Sequence, residues 1–350
     1  MNPFIRIGDR LIGTGYPVYI VAEQSANHRQ QYDEAVKLIE TAKEAGADAV
    51  KLQTYTPDTM TIDVDSDLFR HGQESLWSGR TLYDLYTEAY MPWEWQPKLK
   101  KVADELGMDL FSTPFDRTAV DFLEEMGVPA YKVASFEVVD LPLIEYIAGK
   151  GKPMIISTGM ASPAEIEEAV QMARNAGASQ ISLLKCTSAY PAPPEEMNLR
   201  AIPYLAESYG LPVGLSDHSL DITVPVAAVA LGACIVEKHF TLSRSVSSPD
   251  SAFSLEPQEL KAMVEAIRTA EKALGEAQYE VNEREAKSRV FRRSLFAVED
   301  IKAGEVLTEA NVRSIRPGYG LHTRHLKDVL GKRAAQDIPR GTPLNWELIG

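Results

Sequence analysis

The residues that could do chemistry in this chain recur in one kind of place, the end of a short apolar run. His218 in GLSDHS and His239 in VEKHF close two such runs. Two imidazoles brought together, with substrate oxygens and water, suit a divalent ion such as Mn, Fe, Co or Zn. Lys51, Lys132 and Lys185 each interrupt a β-like run near its end, where an ammonium can hold a phosphate or carboxylate as a flexible point charge. Ser112, Thr113, Ser135, Ser157 and Ser216 occupy similar places and would complete an anion cradle. Glu23 and Glu137 are the best acid/base candidates, able to orient hydroxyls, activate water or exchange a proton at an aldehyde oxygen.

Other residues are open to two readings. Asp250, in SSPDSAFSLEP, serves either as a helix-capping residue or as a substrate ligand. Tyr190, Phe240 and Phe253 would wall a sugar site or pack in loops and core. Asp217 either orients its neighbour His218 or stabilises a turn, and His28 either supports the site or caps locally. Cys186 and Cys234, the two cysteines, read as packing residues, with no CxxC motif between them. The turn ISTGM offers backbone N–H groups, but no GxxxxGK[ST] or correctly placed GxGxxG nucleotide motif occurs.

These positions require elements that gather them. Eight β-like runs lie at 18–23, 47–53, 108–113, 130–135, 153–158, 180–186, 211–216 and 233–239. Several are almost continuously apolar, as expected of parallel strands buried on both faces. Helical patterns alternate with them. Residues 32–46 place Ala35, Leu38, Ile39 and Ala42 on one face, and residues 162–177 open with Ser162, Pro163 and Glu165, a capping box. Helices are also expected over 118–127 and 256–275. The alternation predicts an α/β fold, a closed (β/α)8 TIM barrel whose strand C-termini converge on one face. The long polar insertion from about residue 56 to 82, with Trp77 and the following LYDLYTEAYMPWEWQ, predicts an ordered lid or rim.

The barrel is expected over residues 1–280, a charged connector over 281–293 and a small β-rich domain over 294–350. The last 57 residues carry eight basic and seven acidic side chains, against 28 and 43 in the rest. A core that small is marginal alone, so the small domain is expected to dock. The formal charge of the whole chain is -14, which disfavours nucleic acid as a partner. No apolar run reaches the ~18 residues of a membrane helix. The opening MNPFIRIGDRL has no secretory-signal pattern, and a reduced, cytoplasmic protein is expected.

The motifs AEQSANH, KLQTY, STPFD, KVASFE, ISTGM, LLKCTSAYP, GLSDHS and VEKHF together resemble the sialic-acid-synthase-like family of phosphoenolpyruvate-dependent nonulosonate synthases. The resemblance spans nearly the whole chain and includes a C-terminal SAF, or antifreeze-like, domain. It implies condensation of phosphoenolpyruvate with an amino-sugar aldehyde and water, with phosphate released by C–O cleavage. Lys51, Lys132 and Ser135 would contact phosphoenolpyruvate, with Ser112 or Thr113, Ser157, Lys185, Ser188 and Ser216 around its charges. His218 and His239 would bind a divalent metal, Mn2+ foremost, with Mg2+ or Co2+ as alternatives. Gln53, Tyr190 and Asp250 would face the sugar, together with Glu23 and Glu137. Arg316, in IRPGYG, would reach the sugar from the SAF domain of a domain-swapped homodimer. The DSAFSLEP stretch resembles the pseudaminic acid branch, and the AEQSANH version of the first motif departs from the more usual AEIGxNH at Gln24 and Ser25, a change at the site rim that implies altered sugar recognition. That branch implies 2,4-diacetamido-2,4,6-trideoxy-L-altrose as acceptor. Sialic or legionaminic acid synthesis, a pyruvate-using metal-dependent aldolase and a carbohydrate-binding protein are the competing readings.

Overall fold

The computed structural model describes residues 3–72 and 76–350. They form two compact units, Met1–Gly275 and Glu276–Gly350. The first begins with an antiparallel hairpin, β1 (Phe4–Ile7) and β2 (Arg10–Gly13). The barrel strands follow: β3 (Tyr19–Glu23), β4 (Ala49–Thr54), β5 (Asp109–Pro114), β6 (Tyr131–Val133), β7 (Met154–Ser157), β8 (Ile181–Cys186), β9 (Val213–Asp217) and β10 (Ile235–His239). All eight are parallel and close as β10-β3-β4-β5-β6-β7-β8-β9, the TIM barrel expected from the alternation of runs and helical patterns. Closure is made by β10 against β3, from Ile235 beside Tyr19 to His239 beside Glu23.

The helices form where local signals and the apolar stripe agree. Pro163–Asn175 carries the expected box, the Ser162 hydroxyl accepting from the Glu165 N–H and the Glu165 carboxylate accepting from the Ser162 N–H at 2.7 Å. Its Ile166, Ala169, Val170 and Ala173 are buried against the barrel. Tyr32–Ala45, Arg117–Met126 and Pro257–Leu274 occupy the other expected stretches.

Sequence reading did not anticipate the hairpin. Its short alternation, FIRIGDRLIG, buries Ile5, Ile7 and Ile12 in the same cluster as Tyr19 and Phe111. Arg10 binds Asp109, the first residue of β5, at 2.9 Å. The hairpin therefore seals the barrel at the N-terminal ends of its strands.

The insertion is ordered where described. It contains the helices Pro57–Met60 and Leu82–Ala89, and the Trp77 indole N–H donates to the Pro249 carbonyl at 2.9 Å.

In the second unit, β11 (Ser294–Ala297) pairs antiparallel with β12 (Val312–Ile315). Leu295, Ile301, Leu307, Val312, Val329, Ile338 and Leu344 build its own core. Residues 281–293 include a helix, Glu283–Ser288, capped by the Asn282 side chain.

Close packing inside the barrel depends on Gly214 in β9. A Cβ there would lie 2.5 Å from the Ile235 carbonyl oxygen and 2.7 Å from Leu184 Cδ2. Gly214→Ala is expected to cost about 2–3 kcal/mol through overpacking, seen as a lower urea midpoint with little change in m-value.

Candidate active site

Side chains alternate along a strand, and the barrel register converts that alternation into a ring. Glu23 lies beside Lys51, Gln53 beside Thr113, Cys186 beside Ser216, and Ser216 beside Glu237. At the centre the Lys51 ammonium is 2.6 Å from Glu23 Oε2, 3.6 Å from Glu237 Oε1 and 3.1 Å from the Thr113 hydroxyl. Lys132 donates to the Ser157 hydroxyl at 2.7 Å and to the Val133 carbonyl at 3.0 Å. Ser216 donates to Glu237 at 3.3 Å, and Ser188 to Ser135 at 3.0 Å. Gly159, from the ISTGM turn, packs closely on this serine pair: a Cβ would fall 2.4 Å from Ser135 Cβ and 3.0 Å from Ser188 Oγ.

All four charged groups of the ring are buried, and burial sets their proton affinities. It raises the Glu23 carboxyl to about 7, against the pull of Lys51. It also pushes up Glu237, but there Lys132 and Lys51 outweigh it, so Glu237 stays ionised. Burial holds the Lys132 ammonium below its ordinary range. In Lys51 the same cost is exceeded by attraction to Glu23 and Glu237, which keeps it charged. Glu137 opens the turn Glu137–Val139 with a buried Oε2 that has no partner, and burial raises this carboxyl to about 7.

Above the ring the two histidines come together. His218 and His239 have ring centroids 5.3 Å apart, with Tyr190 4.4 Å from His218 and Phe253 4.9 Å from His239. His218 Nδ1 lies 2.8 Å from the Thr187 carbonyl oxygen. His239 Nδ1 is buried without a partner, and burial followed by the neighbouring His218 holds this imidazole well below its ordinary range. A neutral ring keeps a lone pair for a metal.

A cavity of about 420 Å³ opens over these groups. Gln53, Ser135, Glu137, Tyr190, His239 and Asp250 supply much of its polar wall. Tyr55, Met60, Trp77, Leu82, Leu85, Tyr86, Phe115 and Phe253 supply the apolar one. Met60, Trp77 and Leu82 of the insertion thus form part of the cavity wall. Asp250 is half-buried, its Oδ2 accepting from Ser25 Oγ and from the Ala26 N–H. Gln53 donates to Glu23 at 3.1 Å and to Ser25 at 3.0 Å.

Two expected ligands stand apart from the ring. Ser112 falls in the alternate row of β5. Its hydroxyl meets Thr54 at 2.6 Å, and Thr54 in turn meets Gln96 of an outer helix at 2.8 Å. Thr113 is therefore the β5 residue beside Lys51. Lys185 alternates with Cys186 in the same way, and its ammonium is held by the Cys186 carbonyl at 2.7 Å and the Thr187 hydroxyl at 3.2 Å.

Three of the two-way readings take the local side. Asp217 is a turn residue: it accepts from the Ser219 N–H at 2.8 Å and pairs with the buried Lys238 at 2.6 Å. His28 accepts from the Gln30 N–H at 3.1 Å, a local cap, and burial lowers it to about 4. Phe240 packs in the core, and Cys234 donates to the Val213 carbonyl at 3.2 Å. Arg316 belongs to the second unit.

Four residues of the site were not assigned a role in it from the sequence. Glu237 was visible at a strand end, and counting alternate positions back from His239 points it inward. Cys186, facing inward beside His218, follows from the same count. His71 and Ser25 also line the cavity; Ser25 was visible only as a departure from the first motif, and no local pattern marks His71.

A parallel eight-stranded barrel with a buried lysine-carboxylate ring, a histidine pair and a separate β-rich unit defines the class. The chain belongs to the NeuB family, whose model matches residues 38–279, and a SAF domain model matches residues 292–349. It is 46% identical over 331 residues to the pseudaminic acid synthase of Campylobacter jejuni, covering 95% of this chain and 96% of that protein. The pseudaminic acid synthase of Helicobacter pylori is 44% identical over 334 residues, covering 95% of this chain and 98% of that protein. Among solved structures, the N-acetylneuraminic acid (sialic acid) synthetase of Leptospira borgpetersenii, in complex with citrate, superposes with a TM-score of 0.73. It is 33% identical and covers 82% of this chain and 95% of that one.

Proposed function

We propose that this protein condenses phosphoenolpyruvate with 2,4-diacetamido-2,4,6-trideoxy-L-altrose and water, forming pseudaminic acid and releasing phosphate by C–O cleavage. The observation that carries this reading is the buried Lys51–Lys132 pair beneath two facing histidines, in a chain 46% identical to a pseudaminic acid synthase. Phosphoenolpyruvate carries a carboxylate and a phosphate on three carbons. Lys51 and Lys132 meet those charges, and Thr113, Ser135, Ser157, Ser188 and Ser216 donate hydrogen bonds to them. A charge-assisted hydrogen bond is about twice as strong as a neutral one, which favours this anion over a neutral enol.

Glu23 orients or deprotonates the water that adds at the former enol carbon, and Glu137 handles the second proton. A carboxyl near 7 is suited to both tasks at neutral pH. Gln53, Tyr190 and Asp250 face the sugar. His218 and His239 would hold a divalent ion: His239 Nδ1 is buried and unpartnered, and His218, whose Nδ1 meets the Thr187 carbonyl, would exchange its contact with the Cys186 thiol for the ion. Among the described residues no group of three His, Cys, Asp or Glu side chains is placed to hold an ion, so an ion held by the two histidines would draw on substrate oxygens and water as well. When bound, the ion, Mn2+ by preference, polarises the sugar aldehyde as a Lewis acid.

The working form is a domain-swapped homodimer in which residues 294–350 of one copy cap the barrel of the other, bringing Arg316 to the sugar. The barrel occupies residues 1–280, and residues 281–293 connect it to the cap. No helix among the described residues is long and apolar enough to cross a membrane. The cytoplasm, where phosphoenolpyruvate is made, is the fitting location.

Purified protein with Mn2+, phosphoenolpyruvate and the altrose acceptor is expected to release phosphate and form pseudaminic acid stoichiometrically, identified by mass and NMR. In 18O-water the released phosphate stays unlabelled under C–O cleavage. Faster turnover of the sialic or legionaminic acid precursor would overturn the acceptor assignment. Pyruvate consumption without phosphate release would replace the synthase by an aldolase.

His218→Ala should weaken Mn2+ binding about tenfold or more, read from the free-ion EPR signal, while the circular dichroism spectrum is unchanged.

Because burial raises Glu23 to about 7, it is protonated below that pH and ionised above. The wild-type rate should therefore rise through neutrality and level off. Glu23→Gln should lower kcat about 100-fold or more, remove that rising limb and leave phosphoenolpyruvate binding nearly intact by calorimetry.

A further inference from the structure

Four residues other than glycine adopt a positive φ among the described residues, and Ser25, at 45°, is the one that lines the central cavity. The left-handed region is costly for a residue with a Cβ, and such strain persists where the surroundings over-determine it. Here the surroundings are polar. The Ser25 hydroxyl donates to Asp250 Oδ2 and accepts from Gln53 Nε2 at 3.0 Å. The Ala26 N–H reaches the same Oδ2 at 3.3 Å, and the Gln53 amide also donates to Glu23 at 3.1 Å. One short side chain thus joins a carboxylate 225 residues away to the glutamine that steadies Glu23.

We propose that Ser25 is a positioning residue for the acceptor sugar, aiming Asp250 into the cavity and fixing Gln53 between that carboxylate and Glu23. The proposal rests on the functional reading above and assigns the hydroxyl a specific task. Both hydrogen bonds to Asp250 fall on Oδ2, which leaves Oδ1 to accept from a hydroxyl or an acetamido N–H of the sugar. The backbone conformation would be easier for glycine. The hydroxyl is what glycine cannot supply.

Ser25→Gly separates the two effects, because it relaxes the backbone while deleting the link. Its melting temperature is expected to equal or exceed that of the wild type. Its KM for the amino sugar should rise about tenfold, the effect of one lost hydrogen bond to a charged group. Its kcat should fall, with the KM for phosphoenolpyruvate within about twofold of the wild type. Wild-type values for the sugar in this variant would overturn the proposal. So would a loss of activity matched by a lower melting temperature, which would make Ser25 a residue of the fold alone. If the wild type itself turns over no amino sugar, the functional reading fails and this proposal with it. Wild-type turnover beside an unaffected glycine variant defeats the proposal alone.

Discussion

Burying Lys51, Lys132, Glu23 and Glu237 in one ring is the constraint around which the barrel interior is arranged. Taking a charge out of water costs several kcal/mol even after relaxation, so none of the four is tolerable alone. Neutralisation is shared instead: Lys51 touches both carboxylates, while Lys132 leans on Ser157 and a backbone carbonyl. The arrangement leaves two imbalances, a carboxyl that takes up a proton near neutrality and an ammonium that burial disfavours. Each is relieved by an incoming anion or proton. The ring is therefore a poor core and a good receptor.

The polarity of the site is layered because the elements that build it differ. Strand positions are fixed by the barrel ladder, so the charges that must be placed most accurately lie there. The apolar wall comes mainly from the insertion, through Met60, Trp77, Leu82, Leu85 and Tyr86. Such a wall suits methyl and acetamido groups and would be wasted on a phosphate. The proposed acceptor, with two acetamido groups and a 6-deoxy carbon, would place its apolar parts there.

Much of this was legible in the residues. Apolar runs ending in Lys, Ser, Glu or His marked the strands and their active face, and the Ser162–Glu165 capping box marked a helix start. What was less legible was phase. Ser112 and Thr113 are neighbours in sequence, yet only Thr113 faces the ring, and Lys185 and Cys186 divide in the same way. A strand end identified by composition alone does not say which of two adjacent residues points inward. Ser25 was harder still, because its partner Asp250 lies on a loop after the last strand and its backbone conformation has no signature in a single sequence. The hairpin at Phe4–Gly13 was short enough for its alternation to pass unnoticed.

That hairpin has a kinetic corollary. Ile5, Ile7 and Ile12 pack under one end of the barrel, and the cavity lined by Gln53, Glu137 and His239 opens at the other. Lys51 stands two residues below Gln53 on the same strand, roughly 7 Å deeper, and does not line the open cavity. Under the proposed assignment, a molecule seated on the ammonium groups would pass the place given to the sugar. The small anion would then bind first, and a sugar bound early would block its own co-substrate.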